Sequence, residues 1–289
     1  MPTGAPRCAQ GVLEYDGTAF AGSQVQPNAR TVQGVLEEAL NRLTGERVRI
    51  RLAGRTDAGV HATGQVVAFC LPRRVRGERM RWQELQRRLN GLLPPDLAVR
   101  SLRSAAPGFD PRRDAVARIY RYRIRTGGRS RPLERHSVLE IGETLDVAAM
   151  RSAAAALVGE RDFAALGTDE HGRTIRHLRE VTLRRRGSMV EVRVTADAFL
   201  RRMVRSIVAV LLAVGRGKLT AEGVTALIEG RRRMLDGRAA PARGLTLEKV
   251  LYVNTRTPRE AKASSGSVPK EGRRPGRRPS ARPEQEAGT

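Results

Sequence analysis

Along this chain the spacing of apolar residues switches between two periods, every second residue and every third or fourth, and the order of the switches occurs twice. Apolar residues two apart line one face of a strand, and those at i, i+3, i+4 and i+7 line one face of a helix. Residues 10–16 read as a strand. Beyond Thr31, a residue type that caps helix N-termini, Val32, Val35, Leu36, Ala39, Leu40 and Leu43 form a helical stripe. Strands follow at 47–53 and 64–71, a helix at 80–92 and a strand at 97–104, which gives the order β-α-β-β-α-β.

The second half repeats it. "ARIYRYRIRT" (117–126) reads as a strand, and Asp146 caps a helix with the stripe Val147, Met150, Ala154, Leu157 and Val158. Residues 175–186 and 189–197 form a hairpin in which Val190, Val192 and Val194 alternate with Glu191 and Arg193. A strongly apolar helix follows, with Leu200, Met203, Val204, Ile207, Val208, Leu211 and Leu212 at helical spacing. A short helix at 220–230 precedes the last strand, "LEKVLYVN". Two tandem β-α-β-β-α-β units imply an α+β fold with helices packed on mixed sheets and a cleft between the halves. The boundaries expected are 1–108 for the first half, 109–255 for the second and 256–289 for a tail.

That tail, rich in Pro, Gly, Ser and Arg and without an aromatic residue, lacks the apolar content to bury a core and reads as a disordered basic arm. The 289 residues carry 54 Lys+Arg against 30 Asp+Glu, a formal charge of +24. Nine basic and four acidic residues place +5 of this on the tail and +19 on residues 1–255. An arginine-rich excess of this size points to a polyanion, and nucleic acid fits best, because the guanidinium fork matches phosphate. A composition 40% apolar supports a core, yet no run reaches the length of a membrane span, and "MPTGAPRCAQ" lacks a signal-peptide layout. These features place the protein in the cytoplasm. Cys8 and Cys70 are too few for a disulfide framework, and the four histidines form no metal-binding spacing.

The candidate chemistry lies in "RLAGRTDAGVHATGQVVAF", residues 51–69. Asp57 occupies a strand connection bracketed by Gly54 and Gly59, with Arg55, Thr56 and His61 crowded into the same few positions. An aspartate in a turn can simply cap its own backbone. Beside a guanidinium, on a rigid turn, it also has the chemistry of a nucleophile or general base. A glycosidase would need a second carboxylate, and neither Asp162 nor Asp169 is marked as one. A phosphate-cradling glycine loop is absent from the sequence. A tandem RNA-binding module without catalysis would explain the charge and the repeat, but not Asp57 in its turn.

"GRTDAGVHATGQVVAF" resembles the signature of the tRNA pseudouridine synthases of the TruA type, Gly-Arg-Thr-Asp-x-Gly-Val-His. "EYDGTAFAGSQVQ", "TVQGVLEEAL", "ARIYRYRI", "GERDFAAL", "FLRRMVRSIVAVLLAVG" and "GLTLEKVLYV" match in family order and cover nearly all of residues 10–254. The resemblance implies an isomerase that detaches uracil from its ribose, rotates it and rejoins it through carbon 5, with no cofactor and no metal. It implies tRNA as substrate, at positions 38, 39 and 40 of the anticodon stem-loop, and a homodimer as the working unit. Asp57 falls on the family's nucleophile, Arg55 on the arginine that displaces the target base from its stack, and Tyr120 on the tyrosine set against the flipped uracil. Arg205 falls on the arginine that pairs with the nucleophile, and Arg112 on a backbone-binding arginine. Tyr122 reads as a core residue. Two departures, Ser23 where relatives commonly carry tryptophan and Arg113–Asp114 after Arg112, imply altered RNA contacts or pocket walls.

Overall fold

Strands from both halves of the sequence join in one ten-stranded mixed sheet. The computed structural model describes residues 7–71, 80–128, 131–230 and 239–253. The chain divides into a unit of Met1–Val253 and a second of Asn254–Thr289; the latter, with the basic arm expected at 256–289, lies outside the described residues.

The first half supplies β1 (Arg7–Tyr15), α1 (Val32–Thr44), β2 (Ile50–Leu52), β3 (His61–Leu71), α2 (Trp82–Asn90) and β4 (Leu97–Ser104). This is the order read from its periodicity. The second half begins with β5 (Ala115–Thr126), β6 (Leu139–Ile141), α3 (Val147–Leu157) and β7 (Gly159–Asp162). It continues with β8 (Ile175–Arg186), β9 (Met189–Ala196), α4 (Met203–Gly215), α5 (Ala221–Glu229) and β10 (Leu245–Tyr252). Periodicity missed β6 and β7, which at three and four residues are too short to display a period.

Local chemistry sets the helix ends. Thr31 Oγ1 accepts the Gly34 N–H at 3.2 Å, Asp146 accepts that of Ala149 at 2.9 Å and Thr220 that of Gly223 at 3.1 Å. Each satisfies one of the donors a helix leaves open at its start. α4 has no such cap. Its expected stripe began at Leu200, but the helix begins at Met203, because the Arg201 main chain pairs with Thr168 and Arg202 adopts a left-handed φ of 65°. α4 is buried almost all round, from Met203 and Val204 to Leu211 and Val214, as suits a helix whose apolar residues exceed one stripe.

The sheet runs β4-β1-β3-β10-β5-β9-β8-β7, with β2 also on β3 and β6 also on β5. β10, last in sequence, lies between the halves, parallel to β3 and antiparallel to β5. The two expected sheets are therefore one, since β10 pairs with edges that would otherwise stay open. The junction is close: a Cβ on Gly64 would stand 2.2 Å from the Glu248 carbonyl oxygen. On the buried face lie Tyr120, Tyr122 and Ile124 of β5 and Val190, Val192 and Val194 of β9. The opposite face carries ion pairs such as Arg193–Glu248 at 2.8 Å. Cys8 and Cys70, directly opposite on β1 and β3, form one cross-strand disulfide. Among the described residues, no helix is long and apolar enough to cross a membrane.

Candidate active site

The connection between β2 and β3 is held from several sides. The Ser23 N–H donates to the Thr56 carbonyl at 3.1 Å, and the Thr56 N–H donates to Ser23 Oγ at 2.8 Å. Thr56 Oγ1 lies 2.9 Å from the Tyr15 hydroxyl, and Gln65 Nε2 donates to the Gly54 carbonyl at 2.8 Å. The Val60 N–H closes the turn on the Asp57 carbonyl at 3.1 Å. Of the two bracketing glycines, only Gly59 has the left-handed φ, 77°, that favours glycine. Gly54 does not, and a Cβ there would meet open space. The main chain around Asp57 is thus fixed by buried groups while its carboxylate stays about a quarter exposed.

The guanidinium beside Asp57 belongs to Arg205 on α4. Arg205 Nη1 donates to Asp57 Oδ2 at 3.1 Å, Arg205 Nε donates to the Ala240 carbonyl at 2.7 Å, and the Ala240 N–H donates to the Arg205 carbonyl at 3.0 Å. This arginine enters from the apolar side of its helix and meets a carboxylate from the other half of the sequence. Arg55 does otherwise. Crowded beside Asp57 in the sequence and expected to displace the target base, it turns outward, and its Nη1 donates to Glu170 Oε1 at 2.7 Å, both side chains being well exposed.

Tyr120 lies two strands from the foot of β3: it stands opposite Leu247 of β10, which stands opposite Ala62. Its ring meets Phe199 edge-on, with centroids 5.2 Å apart at 88°. Burial pushes the Tyr120 phenol well above its usual range; neighbouring Tyr15 adds to this, Arg118 opposes it and the Asp57 carboxylate adds again. Tyr120 therefore stands near Asp57 as a protonated phenol. Tyr122, read as core, is completely buried and donates to the Pro241 carbonyl at 2.8 Å.

Arg112 makes no hydrogen bond with Asp57, Arg205 or Tyr120 among the described residues and sits on an exposed turn shaped by Asp110, whose Oδ1 accepts the N–H groups of Arg112 and Arg113 at 2.9 and 3.0 Å. Asp114 returns the favour by accepting the Asp110 N–H at 2.9 Å. Of the departures, Asp114 thus shapes the turn that presents Arg112. Ser23, expected at an RNA contact or pocket wall, is completely buried and instead pins Thr56. Sequence reasoning missed Glu170 and Phe199. Phe199 was readable as the aromatic just ahead of the α4 stripe, whereas Glu170 is an acid in a polar loop without a local signal. Among the described residues, no group of three or more His, Cys, Asp and Glu could hold a metal ion. A cavity of about 350 Å³ beside α1, lined by Gly34, Glu37, Asn41 and Arg49 among others, contains none of the candidate residues.

The family model described as tRNA pseudouridine synthase matches residues 12–107 and 153–253. A tRNA pseudouridine synthase A of Geobacter sulfurreducens is 46% identical over 243 residues, covering 83% of this chain and 98% of the relative. One from Chloroflexus aurantiacus is 46% identical over 249 residues (83% and 87%), and one from Myxococcus xanthus 42% identical over 243 residues (83% and 90%). A solved Cbf5–Nop10–Gar1 complex aligns with a TM-score of 0.30 at 12% identity, covering 74% of this chain and 56% of the other, an overlap too loose to bear on the site. With its family match spanning both halves, and relatives of this identity along most of their length, the chain belongs to the tRNA pseudouridine synthase family.

Proposed function

We propose that this protein isomerises uridine to pseudouridine at positions 38, 39 and 40 of the tRNA anticodon stem-loop, with Asp57 as nucleophile. The observation that carries the reading is the Asp57 carboxylate, fixed by a rigid turn, paired with Arg205 at 3.1 Å and accompanied by the buried phenol of Tyr120. In the reaction the N1–C1′ bond of uridine breaks and a C5–C1′ bond forms. The proton on C5 leaves to water and N1 gains one, so atoms and charge balance. No electrons are gained or lost overall, and the chemistry needs no electron carrier.

Asp57 adds to the uracil ring or to C1′ and holds the fragment while the base turns. Tyr120 stacks under the flipped base, an interaction worth roughly 1–3 kcal/mol. Because burial keeps its proton in place, Tyr120 enters as a hydrogen-bond donor; to accept the C5 proton it would first have to release its own. Base flipping costs a few kcal/mol, and the exposed Arg55 fills the vacated stack once it leaves Glu170. Arg112 contacts the RNA backbone, supported by the +19 on residues 1–255. The protein works as a homodimer in the cytoplasm, where a tRNA longer than one subunit spans two.

The test is to map pseudouridine in unmodified tRNA transcripts after incubation with the protein. Conversion confined to positions 38–40 is expected. Tight binding without conversion at any uridine would make the protein an RNA-binding module instead.

A further inference from the structure

We propose that Arg118 is a positioning residue for this reaction: one buried guanidinium that fastens together the main chain of the segments bearing Asp57, Arg112 and Phe199. The proposal deepens the isomerase reading and rests on it.

Arg118 lies on β5 two residues before Tyr120 and is 9% exposed. Its Nη1 donates to the carbonyls of Asp197 at 2.6 Å and Ala115 at 3.2 Å, and its Nη2 to those of Arg112 at 2.6 Å and Ala53 at 3.0 Å. All four acceptors are main-chain oxygens, and among the described residues no carboxylate forms an ion pair with it. A buried cation without a counter-ion is costly, and burial correspondingly lowers its hold on the proton. An apolar side chain of the same length would pack the site without that cost, but it would leave four carbonyls unjoined.

The acceptors are not scattered. Ala53 immediately precedes the Gly54–Asp57 turn. Asp197 starts the segment that leads through Phe199, against the Tyr120 ring, to Arg205 on α4. Arg112 is held by its own carbonyl while its side chain faces out. One planar fork thus sets the spacing of the turn, the Phe199 segment and the Arg112 turn. A lysine offers three donors from a single nitrogen and cannot span the same four oxygens.

The experiment compares the full-length protein with Arg118→Lys and Arg118→Met. It measures release of tritium from C5-labelled tRNA as separate kcat and KM values, thermal melting, and amide exchange over residues 53–60 with α3 as reference. Both variants are expected to fold and to keep KM within about threefold. Misplacement of reacting groups costs on the order of 100-fold in rate, so a kcat loss of about 100-fold is expected for methionine and about 10-fold for lysine. Exchange should quicken in the turn and stay unchanged in α3. Folded variants with wild-type kcat, unchanged exchange in the turn, a rate loss explained by KM alone, or two variants that cannot fold would each overturn the proposal. A wild type that releases no tritium would instead defeat the isomerase reading, while the exchange comparison would still decide whether Arg118 holds the turn.

Discussion

The hydroxyl of Ser23 accepts the main-chain N–H of Thr56 at 2.8 Å, one residue before Asp57, and both residues are buried. Ser23→Ala removes the acceptor and leaves that N–H without its partner. A buried donor so stranded costs about 1–3 kcal/mol. Because the bond sits beside the proposed nucleophile, kcat should fall as well, by up to about 100-fold if the carboxylate shifts by an ångström. Thermal melting with single-turnover kinetics checks both effects. An unchanged melting point and rate would show that the turn stands without Ser23.

Arg55 must leave Glu170 before it can enter a base stack. The pair is exposed, so the contact itself is worth no more than about 1 kcal/mol. Glu170→Gln should lower the Kd for tRNA by about two- to fivefold in low salt, since RNA phosphate no longer competes with a carboxylate, and the gain should vanish in high salt. Filter binding across a salt series measures this. A Kd that rises in the variant would mean that Glu170 helps to hold RNA.

All four tyrosines, Tyr15, Tyr120, Tyr122 and Tyr252, have phenols raised above their usual range, burial being the leading cause in each. The fold disfavours the phenolate form. Stability is therefore at its full value below the unfolded-chain value of about 10 and falls as pH rises from there through the folded-state values. Absorbance at 295 nm should show no tyrosine step near pH 10 in native buffer and a step from all four in denaturant. A native step near pH 10 would mean that at least one phenol is open to water, and Tyr120→Phe would tell whether it is the one at the site.

Much of this arrangement is legible in the sequence wherever neighbours in the chain do the work. Thr31 caps α1, the stripe from Val32 to Leu40 packs inward, and Val190, Val192 and Val194 line the buried face of β9. The pairing of Arg205 with Asp57, 148 residues apart, came through the family resemblance, with the apolar flank of α4 as its only local support. What stayed hidden depends on distant partners or on very short elements. Nothing local in Leu245–Tyr252 says that it inserts between β3 and β5, and nothing in Glu170 says that it meets a guanidinium 115 residues away. Ser23 stands out in the sequence only as a departure from the family's tryptophan, and its bond to Thr56 is not legible there because that partner lies 33 residues on. Periodicity reports which face is buried, not against what.

The proposed role of Asp57 as nucleophile is tested by one substitution that barely changes shape. Asp57→Asn keeps an oxygen that can accept from Arg205 Nη1 and so preserves the contact made at 3.1 Å, but it removes the negative charge required for attack. Unmodified tRNA carrying tritium at uracil C5 would be incubated with wild type and variant, and label released to water counted beside tRNA binding. Release by the wild type alone, with binding retained in the variant, is the expected result. Release by Asp57→Asn at a rate near that of the wild type would contradict the assignment of Asp57 as nucleophile.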